Sequence, residues 1–369
     1  MPSGRDLAAV RQRSAHARNV IETLFLEAIV APNGHGNLVA WGQYLDLGRR
    51  EISNQFGIYG TSAGIQVLLR HDAARHAGLC GMAGMILPLD HAAQEMFERQ
   101  ASEIRTYFRE KHDLEVLYKV AALVDVVEAH LDSVPGTEFR AVQLLLAMRR
   151  VNAGWPDFRG NGGLDQFTDS KVHATACALL ALARFPDVRA GTAWREAAGW
   201  LVQHLDPEVQ SIATLSICHL ALWSGDERPA GISDDEADAR AACLRSIVDW
   251  AERTAPQDVL RTLEALEYLV PQRNQRTPLA DHEFTFVLYS PHCLAALALI
   301  RSGLPLSRKV ERFVVEVVWV VAERIHTHGS FVAAGRTLVS SVEHLWIYRL
   351  LHQFEQWRPK GRFLDNLRR

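Results

Sequence analysis

Convincing alternation of apolar and polar residues is almost absent from this 369-residue chain, which sets aside folds built on sheets. A concentrated basic surface is missing too. The 40 basic and 43 acidic side chains nearly balance at a formal charge of −3, so nothing pulls the chain toward nucleic-acid phosphates. The five cysteines, Cys80, Cys177, Cys218, Cys243 and Cys293, show no paired spacing, and three lie within apolar helical runs. They are expected to act as small buried hydrophobes, which suits a reducing cytoplasm. The charge-free run "AGLCGMAGMILPL" at 77–89 is shorter than the roughly 20 residues of a membrane span, and reads as a buried loop. The opening "MPSGRDLAAVRQRSAHARN" carries Arg5, Arg11, Arg13 and Arg18 where a signal peptide needs an apolar core, so export is not expected.

What remains is helical periodicity. In "SRKVERFVVEVVWVVAERIH" the residues Val310, Phe313, Val314, Val317, Val318 and Val321 form one stripe among charged neighbours, as in a helix that covers a core from outside. By contrast "HATACALLALARF", "IATLSICHLALW" at 212–223 and "HCLAALALI" at 292–300 have no polar face. Helices apolar all round are enclosed on all sides. The pattern predicts helices over 17–30, 61–71, 91–110, 114–131, 138–150, 170–185, 190–204, 207–223, 236–254, 257–270, 290–302, 307–326 and 339–357. Amphipathic and apolar helices alternate, so six or seven hairpins are expected in one all-α domain over 1–357, followed by a solvated basic tail at 358–369.

The connections repeat as well. A glycine and an aromatic residue precede a polar cap in "GNLVAWGQ", "GWPDFRGNGGLDQFTDS" and "HGSFVAAGRTLVSS". Helix-pair repeats of about 40 to 55 residues build a stacked or closed array, and curling the array into a ring encloses one helix of each pair. This pattern, ending in "TACALLALARF", resembles the repeat of the terpenoid cyclase and protein prenyltransferase superfamily, of squalene–hopene cyclase type, most clearly at 154–185 and 327–354 and more weakly at 41–69 and 284–302. The resemblance implies an α/α toroid. The superfamily's Asp-x-Asp-Asp acid and the Asp-x-Cys zinc ligands of its transferases do not occur in this chain, so no metal site and no cofactor is expected.

Four other features carry chemistry-bearing residues. "DDEAD", Asp234 to Asp238, fits the Asp-Asp-x-x-Asp pattern for magnesium and diphosphate, but Ser233 with Glu236 also spells a helix capping box, and that reading is preferred. "GTSAG", Gly60 to Gly64, matches a nucleophile elbow centred on Ser62 and resembles the serine motif of patatin-type lipases. That chemistry needs a strand-to-helix turn; a helix start capped by Thr61 or Ser62 is the favoured alternative. His173, His292 and His344 stand near the starts of three enclosed helices, where a toroid has one mouth of its cavity, and are the catalytic candidates as neutral proton acceptors. The competing role for each is a hydrogen bond to its own cap or a neighbouring turn. Finally, the polar connection "PQRNQRTPLADHEFTF" at 271–286 offers Arg273, Arg276, Asp281, His282 and Glu283 as partner-binding residues, in a loop long enough to be functional.

The expected function is that of a cytoplasmic, non-catalytic toroid that binds a protein partner, with room for a small apolar ligand in its cavity and no contact with nucleic acid or membrane. An alternative is a divergent terpenoid cyclase or isoprenoid-transforming enzyme; a third is serine hydrolysis at Ser62.

Overall fold

The fold is known from a computed structural model, which describes residues 6–27, 44–45, 58–69, most of 142–149, 154–155, 172–183, 185–222, 232–261, 264–265, 288–331 and 339–359. These residues are mostly helical, with four two-residue strands. The order is α1 (Leu7–Glu27), β1 (Tyr44–Leu45), α2 (Ile58–Leu69), α3 (Val172–Leu182), α4 (Pro186–Ala190), α5 (Thr192–His204), α6 (Ile212–Leu222), α7 (Asp234–Arg253), a 3₁₀ turn (Pro256–Leu260), β2 (Glu264–Ala265), β3 (Leu288–Tyr289), α8 (Pro291–Arg301), α9 (Arg308–His328), β4 (Val339–Ser340) and α10 (Ser341–Gln356). Among them no helix is long and apolar enough to cross a membrane.

The two helix types separate into two rows. The apolar helices neighbour one another in the order α3, α6, α8, α10, α2, and the amphipathic ones in the order α5, α7, α9, α1. Residues Ala213 to Leu222 of α6 and Pro291 to Ile300 of α8 are all buried, as helices without a polar face require. Small residues, including Ala213 and Ser216 on α6 and Ala295 and Ala298 on α8, let these backbones lie close. The α9 stripe from Val310 to Val321 is buried at every position anticipated, while Arg308, Lys309 and Arg312 stay exposed.

The first helix packs on the last two. Arg13 meets Glu323 at 3.3 Å and the His16 ring meets that of His326 at 4.9 Å, so α1 and α9 run side by side in the same direction. Against α10 the register descends: the Arg11 guanidinium donates to the Trp357 carbonyl at 2.6 Å, the Ser14 hydroxyl to the Leu351 carbonyl at 3.3 Å, and the Tyr348 hydroxyl to buried Glu22 at 3.0 Å. Arg18 adds His352 at 2.7 Å and Glu355 at 3.1 Å. Strands β1 and β4 pair antiparallel, Tyr44 opposite Ser340, and join early and late chain a second time.

Several boundaries differ from the periodicity. Helix α1 starts at Leu7 rather than 17, with the Asp6 carboxylate accepting from the Ala8 N–H at 3.1 Å; the polar residues that interrupt its apolar pattern are the ones that bond α10. Of the helix expected over 257–270, the described residues instead form the 3₁₀ turn and β2, which pairs with β3. Helix α6 begins at Ile212 because Asp206 accepts from the Glu208 N–H at 2.9 Å and closes a turn first. Leu180, expected to be enclosed, is only partly buried, on a face of α3 shared with His173 and Cys177. The segments 77–89, 91–110 and 114–131 lie outside the described residues.

Candidate functional site

The candidate histidines sit near the starts of the apolar helices α3, α8 and α10, yet their surroundings differ. His344 is the fourth residue of α10 and wholly buried. Its Nδ1 lies 2.8 Å from the Ser340 carbonyl, and its Nε2 accepts the Phe331 N–H at 2.9 Å. The carbonyl admits only a donor, so Nδ1 carries the proton. Burial pulls this ring down to about 4 and keeps it neutral.

The same device recurs in α3 with different chemistry. Thr175 is the fourth residue of that helix, and its hydroxyl accepts the N–H of buried Trp155 at 2.9 Å. The Trp155 indole donates to the Leu145 carbonyl at 2.8 Å. At both helices an aromatic residue earlier in the chain, Trp155 or Phe331, is pinned through its backbone N–H by the fourth side chain of an apolar helix. In these two connections the glycine–aromatic pattern therefore has a packing role, while Thr175 carries no signal of its own in the sequence. The spacing alone hides it, because the aromatic lies 20 residues before Thr175 but 13 before His344.

His292, second in α8, is buried between aromatic rings: Trp250 at 4.9 Å, edge-on, and Phe313 at 6.1 Å, stacked. Burial is the main cause that lowers it to about 4, with Asp258 and the Ala255 backbone opposing. His219, which the sequence did not flag, is buried in α6 near the Arg240 carbonyl at 3.5 Å, and burial with the Arg240 charge lowers it to about 3.

His173, second in α3, is the partly accessible one of the three candidates. Its Nε2 lies 3.3 Å from the Cys177 sulfur and its Nδ1 3.4 Å from the Thr214 hydroxyl on α6, which brings the starts of α3 and α6 together. Burial lowers it to about 4. Cys218, Cys243 and Cys293 are buried, and burial raises their thiols, Cys243 and Cys293 to about 12, so they remain protonated.

The acidic motif is a cap. Ser233 Oγ accepts the Glu236 N–H at 3.2 Å and Glu236 Oε2 accepts the Ser233 N–H at 2.8 Å, while Asp234, Asp235 and Asp238 are exposed in the first turns of α7. Replacing Ser233 with Ala should lower stability by about 1 kcal/mol in urea unfolding, as loss of a cap does; an unchanged midpoint would show that the box contributes nothing. Ser62 belongs to α2, whose helix begins at Ile58, so neither it nor Thr61 is the cap. The loop residues Arg273, Arg276, Asp281, His282 and Glu283 lie outside the described residues. Among the described residues no three His, Cys, Asp or Glu side chains gather as a metal-holding group.

Comparison with protein-family models, curated proteins and solved structures returned no match for this chain.

Proposed function

We propose that the chain is an α/α toroid acting as a cytoplasmic protein-binding scaffold or recognition subunit, with the connection at 271–286 as its partner-facing loop and an interior suited to a small apolar ligand. Support for the ring comes from the two rows of helices and from α1 docking against α9 and α10. The observation that carries the non-catalytic reading is His344: both ring nitrogens are committed to backbone groups, so this candidate proton carrier holds a connection in place. His292, wedged between Trp250 and Phe313, has the surroundings of a packed core ring.

One observation favours the enzymatic alternative, a divergent cyclase or isoprenoid-transforming enzyme: His173 keeps solvent access beside a thiol. The deciding experiment compares two variants of the full chain, one reversing Arg273, Arg276 and Asp281, the other His173→Gln. Copurification of a partner from native cells and turnover of isoprenoid diphosphates are measured in parallel. The scaffold reading expects the loop variant to lose the partner several-fold, because rim charges tune association, and the histidine variant to keep it. Turnover by the parent that falls 10²- to 10⁴-fold in His173→Gln, with partner binding intact in the loop variant, overturns it.

A further inference from the structure

We propose that the docking of α1 onto α10 is an acid-sensitive latch with His352 as its sensor, tightest while that ring is neutral. The Arg18 guanidinium stands 2.7 Å from His352 Nδ1. A guanidinium only donates, so Nδ1 offers its lone pair and the ring proton sits on Nε2, which faces the Gln356 amide at 3.3 Å. A second proton on the ring would set donor against donor.

Arg18 has little to fall back on. It is 8% exposed, and a buried charge is costly to leave without acceptors. Helix α10 supplies it with His352 and with Glu355 at 3.1 Å, while Arg18 Nε finds no acceptor among the described residues. The Tyr348 ring lies 5.9 Å from the guanidinium carbon, and its hydroxyl donates to Glu22. Around this cluster α9 engages α1 through Glu323 on Arg13 and His326 against His16, Arg349 bonds Gln66 of α2, and α8 keeps its His292 ring against Trp250 and Phe313. The conflict a proton creates is one of direction: Glu22 already accepts from Tyr348 and Glu355 already pairs with Arg18, and a charged His352 would point a donor at Arg18.

Docked, the ring resists a second proton; released, it takes one near the ordinary histidine value of about 6.5. Docking therefore has its full strength above that value and weakens as pH falls through it. Protons have access, because His352 is only partly buried. What the latch governs is the seam between early and late chain, since α1 packs on both α9 and α10 through buried Val10, Ala17, Ile21, Leu24 and Phe25. Opening it uncovers that apolar stripe. The device differs from enclosed His219, His292 and His344 in acting on one helix rather than on the whole fold.

Hydrogen exchange of the full-length protein, read by mass spectrometry and corrected for the intrinsic pH dependence of amide exchange, compares opening of α1 with opening of α6. Between about pH 7.5 and 5.5 the α1 amides should open about tenfold more relative to α6, the change expected when a released ring titrates near 6.5 and a docked one does not. His352→Gln, whose side-chain oxygen accepts from Arg18 at either pH, should hold that ratio within about twofold. Arg18→Gln removes the opposing donor and should do the same, so it stands in if the first variant fails to fold. Circular dichroism checks both. The proposal is overturned by a parental ratio that stays flat, by a tenfold change that persists in either variant, or by α1 and α6 losing protection in step, as they would if acid opened the whole fold at once. None of these outcomes depends on whether the scaffold reading holds.

Discussion

Acidification from about pH 7 to about pH 5 should sharply lower the urea concentration at which this protein unfolds. The cause is four imidazoles lowered chiefly by burial: His219 is held down to about 3, and His173, His292 and His344 to about 4. In the unfolded chain the same rings take up protons below about 6.5. The sign follows directly. Above that value both states are neutral and the full stability is present; as pH falls, the unfolded state binds protons that the folded state refuses, and stability drops until the folded rings titrate near 4. One such proton is worth about 1.4 kcal/mol per pH unit, so four give a slope of at most roughly 5 kcal/mol per unit between about pH 6 and 4. Urea midpoints followed by circular dichroism measure this, and His292→Phe, an apolar ring between Trp250 and Phe313, should remove about a quarter of the slope. A profile flat from pH 7 to 5 would mean that the rings are hydrated and that the row of apolar helices is loosely packed.

These rings also show what could be read in advance. The apolar character of "IATLSICHLALW" and "HCLAALALI" announced enclosed helices, because a helix without a polar face has no stable place at a surface, and both are buried along nearly their whole length. The capping box at Ser233 was equally legible, since both of its hydrogen bonds are local. What could not be read depends on partners far away in sequence. Arg11, Ser14 and Arg18 look like interruptions of α1 until α10 is set beside them, and the strand at Glu264–Ala265 exists only because Leu288–Tyr289 pairs with it. The histidines illustrate the limit at a candidate site. Their shared place near helix starts was visible, but whether a ring meets a backbone N–H, two aromatic faces or a thiol is settled by the neighbouring helix.

The strongest dependence on such a distant neighbour is at Gly154, where replacement by Ala should cost about 2–5 kcal/mol, the sum expected of overpacking and a disturbed buried hydrogen bond. A Cβ built there meets Thr175 Oγ1 at 2.0 Å, Cγ2 at 2.8 Å and Cβ at 2.9 Å, closer than carbon atoms approach one another in folded proteins. Thr175 has little freedom to yield, because a β-branched side chain in a helix is confined at χ1 and this hydroxyl is the acceptor for the Trp155 N–H. Nor can the connection back away without drawing Trp155, wholly buried, from its bond to the Leu145 carbonyl. The strain is shared by one pair of residues, so a double-mutant cycle isolates it. Thr175→Ala alone leaves the Trp155 N–H without this acceptor and should cost about 1–3 kcal/mol. In Gly154→Ala with Thr175→Ala the two nearest atoms are gone, and the double variant should be at least about 1 kcal/mol more stable than the two single losses added together. If Gly154→Ala instead unfolds within about 0.5 kcal/mol of the parent, the close approach of the glycine–aromatic connection to α3 does not exist. The equivalence between Thr175 and His344 would then lose one of its two members.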